Sequence, residues 1–235
     1  MEILKKRINI YLYKIIGVAV TLAILILLML FSSSSSSDSK SLMGGLVTGL
    51  FVALLQLWLM STEHNEIEKI KKLGVKNILR YREDTVIYKK VIGDATSQIW
   101  VLGNTAIRFM RDFADENVAD KRVLIDALER KVHLKILLPD LEHLWSKEDR
   151  KFASISIGRI RKLKKRYNSL IECKLYSHRP FHSLVLADNE IFVGPIFPNR
   201  KSKDTPTIYT DKNSVFASSY IEYFEYEWKS AKSCR

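Results

Sequence analysis

Residues 182–195 read HSLVLADNEIFVGP, and this stretch decides how the soluble part of the chain folds. HSLVLAD (182–188) and EIFVGP (190–195) are short runs rich in aliphatic and β-branched residues, and each reads as a strand. Upstream, IECKLYS (171–177), VHLKILL (132–138) and IWVL (99–102) read the same way, and downstream so does TIYT (207–210). Helical segments lie between them, near 83–96, 104–114 and 119–130, then from Pro139 and Asp140 to about 170. A closing helix from 214 to about 232 is rich in Tyr, Phe and Trp. Alternation of this kind predicts an α/β domain over 75–235, a mixed sheet with helices on both faces. No internal repeat is visible.

The first 60 residues have another character. No charged side chain occurs over 15–31 or 42–60, and Thr48 and Gln56 are the conspicuous polar residues of the second run. Each run approaches the length a helix needs to cross roughly 30 Å of hydrocarbon. Two transmembrane helices are therefore expected, at about 11–31 and 42–60. A signal peptide competes for the first run, but the run is long, no small-x-small cleavage pattern follows, and a second span comes soon after. The stretch SSSSSSDSKS (32–41) reads as a flexible polar loop between the spans. Lys5, Lys6, Arg7 and Lys14 precede the first span, and Lys69, Lys71 and Lys72 follow the second. The positive-inside rule then places both termini in the cytoplasm and the serine loop in the periplasm. Residues 61–74 read as a charged stalk helix that Gly74 stops. Cys173 and Cys234 fall in the part assigned to a reducing compartment, which argues against a disulfide, and their spacing does not suit a metal. No cofactor motif is present.

The net charge is +12, and residues 61–235 hold 33 Lys and Arg against 24 Asp and Glu. Such an excess favours an anionic partner, either the lipid heads of the inner leaflet or a specific phosphate ligand. Its densest part is Arg159, Arg161, Lys162, Lys164, Lys165 and Arg166, on a helix leading into the strand at 171. Cations so closely spaced surround most of a helix, at a cost in mutual repulsion that bound phosphates would offset.

Four segments in order, IWVLG (99–103), VHLKILLPD (132–140), HSLVLADNEIFVGP (182–195) and YIEYFEYEWKSA (220–231), resemble the phospholipase D-like superfamily in its small, single-motif form. The resemblance covers about 75–232. It implies a mixed sheet flanked by helices, and a dimer in which two copies of the motif face each other. The family's motif is H-x-K-x4-D followed by a Gly-Ser step: one His attacks phosphorus, its mate protonates the leaving oxygen, and the Lys holds the phosphate's charge. His182 matches the His, but Leu184 stands where the Lys belongs, on the same side of a strand. Asp188 comes one residue early, with Asn189 at the expected place, and Pro195 follows Gly194 in place of Ser. These departures predict a pseudoenzyme, because lost charge stabilisation costs orders of magnitude in rate.

Candidate ligand contacts are His182, Arg179, Arg159, Lys162, Lys165 and Arg166, with a phosphate as the shared target. His178 and His182 have the spacing of helical metal ligands, but Pro180 between them forbids that geometry, so no metal is expected. His133 and Lys135 share one strand face, as a structural pair or as an edge of the pocket. Tyr220, Tyr223, Phe224, Tyr226 and Trp228 read as packing against the sheet. In the second span Gly45 and Gly49 form a small-xxx-small pattern, and Gln56 needs a partner at membrane depth; these are helix-contact or pore positions.

Two functions are compatible with these features. One is an oligomeric membrane pore governed by nucleotide or single-stranded oligonucleotide binding to an inactive phospholipase D-like domain. That architecture is similar to two-transmembrane effectors of bacterial antiphage defence, and implies the bacterial inner membrane and a partner enzyme that makes the nucleotide. The assembly would be a dimer through the soluble domain, with a tetramer as the larger form. The alternative is a membrane-tethered phosphodiesterase acting on phospholipid or nucleic acid, with His182 as nucleophile.

Overall fold

The structure, a computed structural model, describes residues 2–33, 36–82, 85–198 and 200–234, with the side chains of 2–14, 60–69 and 71 left aside. The flanking charges Lys5, Lys6, Arg7, Lys14, Lys69 and Lys71 lie outside the described side chains. The chain divides into two units, Met1–Ile70 and Lys71–Arg235.

The first unit is two helices, α1 (Glu2–Ser33) and most of α2 (Ser37–Lys72). Each holds a stretch long and apolar enough to cross a membrane, Ile15–Ser33 and Ser37–Leu59, with none of it buried inside the protein. The serine-rich stretch expected as a ten-residue loop is mostly helix: α1 runs to Ser33 and α2 begins at Ser37. Serine explains this itself. The Ser36 Oγ accepts the Ser39 N–H at 3.4 Å, the Ser36 carbonyl accepts the Lys40 N–H at 3.2 Å, and Asp38 sits in the first turn, where a negative charge suits the helix dipole. Phe31 meets α2 at Gly44, where an added Cβ would lie 4.0 Å from the ring.

In the second unit Gly74 follows the end of α2 with φ +79°, and β1 (Val75–Leu79) begins directly after it. Then come α3 (Thr85–Gly93), β2 (Gln98–Leu102), α4 (Ile107–Phe113), α5 (Val123–Glu129), β3 (His133–Pro139), α6 (Lys147–Tyr167), β4 (Ile171–Tyr176), β5 (His182–Ala187), β6 (Glu190–Pro195), β7 (Thr207–Asp211), α7 (Val215–Ser230) and β8 (Lys232–Ser233). They build one mixed sheet in the order β1-β7-β6-β5-β2-β3-β4-β8. β2, β3 and β4 run parallel, and the other neighbours are antiparallel. Helices cover both faces, as the alternation of segments implied. The strands missing from the sequence reading, β1 and β8, are the two edges.

Alternation along the strands sorts the core into two layers. Val101, Leu134, Ile136, Ile171 and Ala187 pack against α3, α5 and α6, with Ile92, Leu128, Ile157 and Ile160. Trp100, Leu102, Leu137, Leu184, Leu186 and Ile191 point the other way, to α7, where Phe224 stacks on Trp100 at 4.8 Å. Lys135 lies over the Trp100 and Trp228 rings at 5.3 and 5.5 Å, so it serves the α7 layer as a cation–π contact. The thiols of Cys173 and Cys234 are free and buried, on adjacent strands β4 and β8's continuation, where the Cys234 N–H donates to the Cys173 carbonyl at 2.8 Å.

Candidate functional site

β5 starts at His182, whose partner across the ladder is Pro195 of β6. The imidazole is half-buried between Tyr220 and Tyr223 of α7, with ring centroids 5.1 and 4.8 Å away. Its Nε2 is shut off from solvent with no hydrogen-bond partner. Burial, and secondarily the charge of Arg82, push its pKa from 6.5 down to about 4, so His182 is neutral at pH 7. Leu184, two residues on, does not line an open groove. It is fully buried, 0% exposed, in the layer under α7 with Trp100, Leu102, Leu137 and Phe224. The place of the motif's cation is hydrophobic core.

The depressed pKa of His182 has a measurable sign. The unfolded chain takes up the proton below about 6.5, and the folded protein only below about 4. Stability contributed by the neutral ring is therefore full above 6.5 and falls as the pH drops towards 4. Denaturation midpoints of the full-length protein should decline across that window, and His182→Gln should flatten the decline. An unaltered slope in the variant would show that His182 is not held neutral by the fold.

Asp188 has φ +50°, in the turn between β5 and β6. Its carboxylate accepts the backbone N–H groups of Thr96 (2.7 Å), Ser97 (3.0 Å) and Gln98 (2.9 Å) and the Thr96 hydroxyl (2.9 Å). Burial works against its charge, but the bonds from Thr96, Gln98 and Ser97 together outweigh that and hold the pKa below the usual carboxylate value. This aspartate fastens the hairpin to the start of β2. Asp188→Ala should cost about 2 kcal/mol, read as a lowered thermal midpoint, because four donors lose a charged acceptor. A change under about 0.5 kcal/mol would mean that water replaces it.

Arg82 is the cation that sequence reasoning missed. Its Nη2 donates to the Pro195 carbonyl at 2.7 Å and its Nε to the Thr207 hydroxyl at 2.8 Å. The guanidinium crosses directly over Gly194, where an added Cβ would stand 2.4 Å from Nη2 and 2.5 Å from the Pro206 carbonyl. Glycine is needed there because the arginine occupies the side-chain space. Nothing local in the sequence RYRED (80–84) marks this arginine; only the pairing of β6 with β7 brings its partners together.

The other expected contacts do not gather around His182. Arg179 is exposed and lies over the Trp145 ring at 4.4 Å. Arg159, Lys162, Lys165 and Arg166 are exposed on α6, which packs on the sheet face opposite the one His182 shares with α7. Arg166 pairs with Glu116 at 3.3 Å and Glu129 at 3.7 Å, whereas Arg159, Lys162 and Lys165 have no ion pair among the described residues. His178 bonds instead to Glu227, at 3.1 Å from its Nε2, which ties its loop to α7. Gly45, Gly49 and Gln56 are exposed on α2 and, at about 100° per residue, fall on one face of it. Nothing lies within 4 Å of a Cβ built at Gly45 or Gly49.

Fold and site define a mixed α/β domain, preceded by two apolar helices, with a half-buried neutral histidine at 182 and a fully buried leucine at 184. No family model matches the sequence, and no curated protein matches it. Among solved structures, the chain is similar to TrmBL2, an archaeal chromatin protein described with a novel mode of DNA binding, at 15% identity and a TM-score of 0.46, over 79% of this chain and 70% of that one. It is similar to phosphatidylserine synthase of Haemophilus influenzae Rd KW20 at 8% identity and a TM-score of 0.46, over 67% of this chain but only 39% of the synthase. It is also similar to NucT from Helicobacter pylori at 13% identity and a TM-score of 0.43, over 65% of this chain and 91% of that one.

Proposed function

We propose that this protein is an effector of the bacterial inner membrane, with both termini in the cytoplasm, whose phospholipase D-like domain binds a nucleotide or oligonucleotide without cleaving it and so controls an oligomeric pore. The role that fits is antiphage defence, with the ligand made by a partner enzyme. One observation carries the reading: Leu184 is core, and the histidine beside it is neutral. Phosphodiester cleavage by this motif needs one imidazole as nucleophile and a second, protonated one as acid. With a pKa near 4, His182 of the single chain is neutral at pH 7, and no lysine follows to hold the phosphate.

The membrane unit supports the pore. Gly45, Gly49 and Gln56 share one open face of α2, and Gln56 has no hydrogen-bond partner among the described residues. An amide facing hydrocarbon is costly, so a second chain or a water-filled lumen belongs there. Two helices per chain require several chains around a channel, a dimer of the soluble domains or a tetramer.

Arg82 is the observation that favours the enzyme reading, since its charge reaches His182. Against that, its Nε and Nη2 already serve Thr207 and Pro195. Purified full-length protein should release no nitrophenol from bis(p-nitrophenyl) phosphate beyond the His182→Ala control. Turnover that disappears in His182→Ala would make the protein a phosphodiesterase.

A further inference from the structure

The face of β5 opposite His182 borders a cavity of about 860 Å³, lined by Arg82, the start of α3, the end of β2, α4, the start of α6, and residues in 196–198 and 200–205. Six of its described lining residues are cationic, Arg82, Arg108, Arg111, Arg200, Lys201 and Lys203, against the three carboxylates Asp112, Glu148 and Asp149. Asp112 is engaged with Arg108 at 3.6 Å and Arg111 at 2.9 Å.

We propose that this cavity is the nucleotide site of the protein, with Arg82 and Arg108 holding the phosphate and Asn104 reading the base. The proposal rests on the nucleotide-effector reading and supplies its address, on the sheet face away from His182.

Two incompletely satisfied groups among the lining residues define the occupant. Arg82 is bound only by neutral acceptors among the described residues, the Pro195 carbonyl and the Thr207 hydroxyl, which leaves part of its planar fork of donors unused. Arg108 stands beside it, its Nη2 donating to the Arg82 carbonyl at 3.3 Å. Burial brings the Arg82 pKa down to about 10, opposed by Tyr88 and assisted by the Arg108 charge. A phosphate there satisfies both guanidinium groups with charge-assisted bonds.

Asn104 also lines the cavity, and its Oδ1 is shut off from solvent with no donor to meet it among the described residues. It lies just past the carboxyl end of β2, where the parallel half of the sheet meets the antiparallel half. Crevices at the carboxyl ends of parallel strands, where strand direction changes, are where open α/β sheets bind ligands. Once the Asn104 side chain turns into the cavity, an exocyclic amine or ring N–H of a nucleobase is the donor it lacks. Phe109, Phe152 and Phe197 also line the cavity and suit a flat ring. Inorganic phosphate would leave most of the space empty; a mono- or dinucleotide fills it.

The test is equilibrium binding by full-length protein in detergent, with the nucleoside 5′-monophosphates, cyclic dinucleotides and inorganic phosphate as probes. At least one nucleotide is expected to bind, and more tightly than phosphate. Arg108→Gln is expected to weaken it about tenfold. Asn104→Leu is expected to reduce discrimination among bases while phosphate binding persists. Because Arg82 also ties β6 to β7, the partly exposed Arg108 and Asn104 keep the test readable if Arg82→Gln fails to fold. Lys162→Gln and Lys165→Gln, on the outer face of α6, are expected to leave binding unchanged. Binding that survives Arg108→Gln and Asn104→Leu but is lost in the α6 or His182 variants would overturn this pocket and leave the effector reading standing. No binding by any nucleotide would overturn both.

Discussion

Replacing Leu184 with lysine, the residue of the active motif, is expected to destabilise the soluble domain by about 3–5 kcal/mol and to restore no hydrolysis. The reason is place. Leu184 is 0% exposed among Trp100, Leu102, Leu137 and Phe224, so the new ammonium would either deprotonate or drag the α7 layer apart to reach water. For a domain of this size that cost corresponds to roughly 6–20 °C in the melting temperature. Leu184→Met, similar in volume and apolar, should cost under about 1.5 kcal/mol and serves as the control. A lysine variant that melts like the parent, or cleaves a diester, would show that position 184 faces a groove and that the motif is one mutation from activity.

Gly74→Ala is the second large effect. Gly74 has φ +79°, a region where an L side chain costs about 1–2 kcal/mol, and the new methyl would stand 2.2 Å from the Ser214 Cβ and 3.2 Å from its Cα. Overpacking adds about 1–3 kcal/mol, because Ser214 caps α7 and cannot move freely: its Oγ accepts the Ala217 N–H at 3.0 Å and its hydroxyl donates to the Thr210 Oγ1 at 2.9 Å. The Gly74 carbonyl is also engaged, accepting the Thr210 hydroxyl at 2.6 Å and the Asp211 N–H at 3.2 Å. A total near 3–4 kcal/mol, seen as a melting point lower by roughly 6–15 °C, is expected. A shift of under about 2 °C would show that the backbone relaxes at little cost. Because Gly74 directly follows α2 and bonds to β7, the same variant is a sensitive probe of how the domain's first strand is held.

How much of this was legible in the sequence depends on how local the cause was. β2, β3, β5 and β6 are runs of aliphatic residues that bury most of their side chains, so composition alone marks them. β1 (VKNIL) is an edge strand with polar, mostly exposed residues and a register shift between Val75 and Asn77, and β8 is two residues long; neither has a local signature. The serine stretch misled because serine is read as a loop former, whereas here Ser36 caps a helix. At the site, His182 and Leu184 stood out only as the positions that the family resemblance aligns with the motif's His and Lys. Their surroundings were not legible: that α7 seals the face of residue 184, that α6 carries its cations to the other face, and that Arg82 reaches Pro195 across more than 110 residues of chain all follow from sheet order. The basic run therefore suggested an anionic partner but gave no address for it.

In the proposed function a nucleotide held by the soluble domain controls ion flow without being consumed. The most direct measurement is ion flux through liposomes containing the full-length protein, with and without the nucleotide panel, followed by recovery of the nucleotide. The account expects flux to change with at least one nucleotide, to change further in Gln56→Leu or Gly49→Leu, and the nucleotide to be recovered intact. Flux indifferent to every nucleotide, or a nucleotide recovered as hydrolysis products, would contradict it.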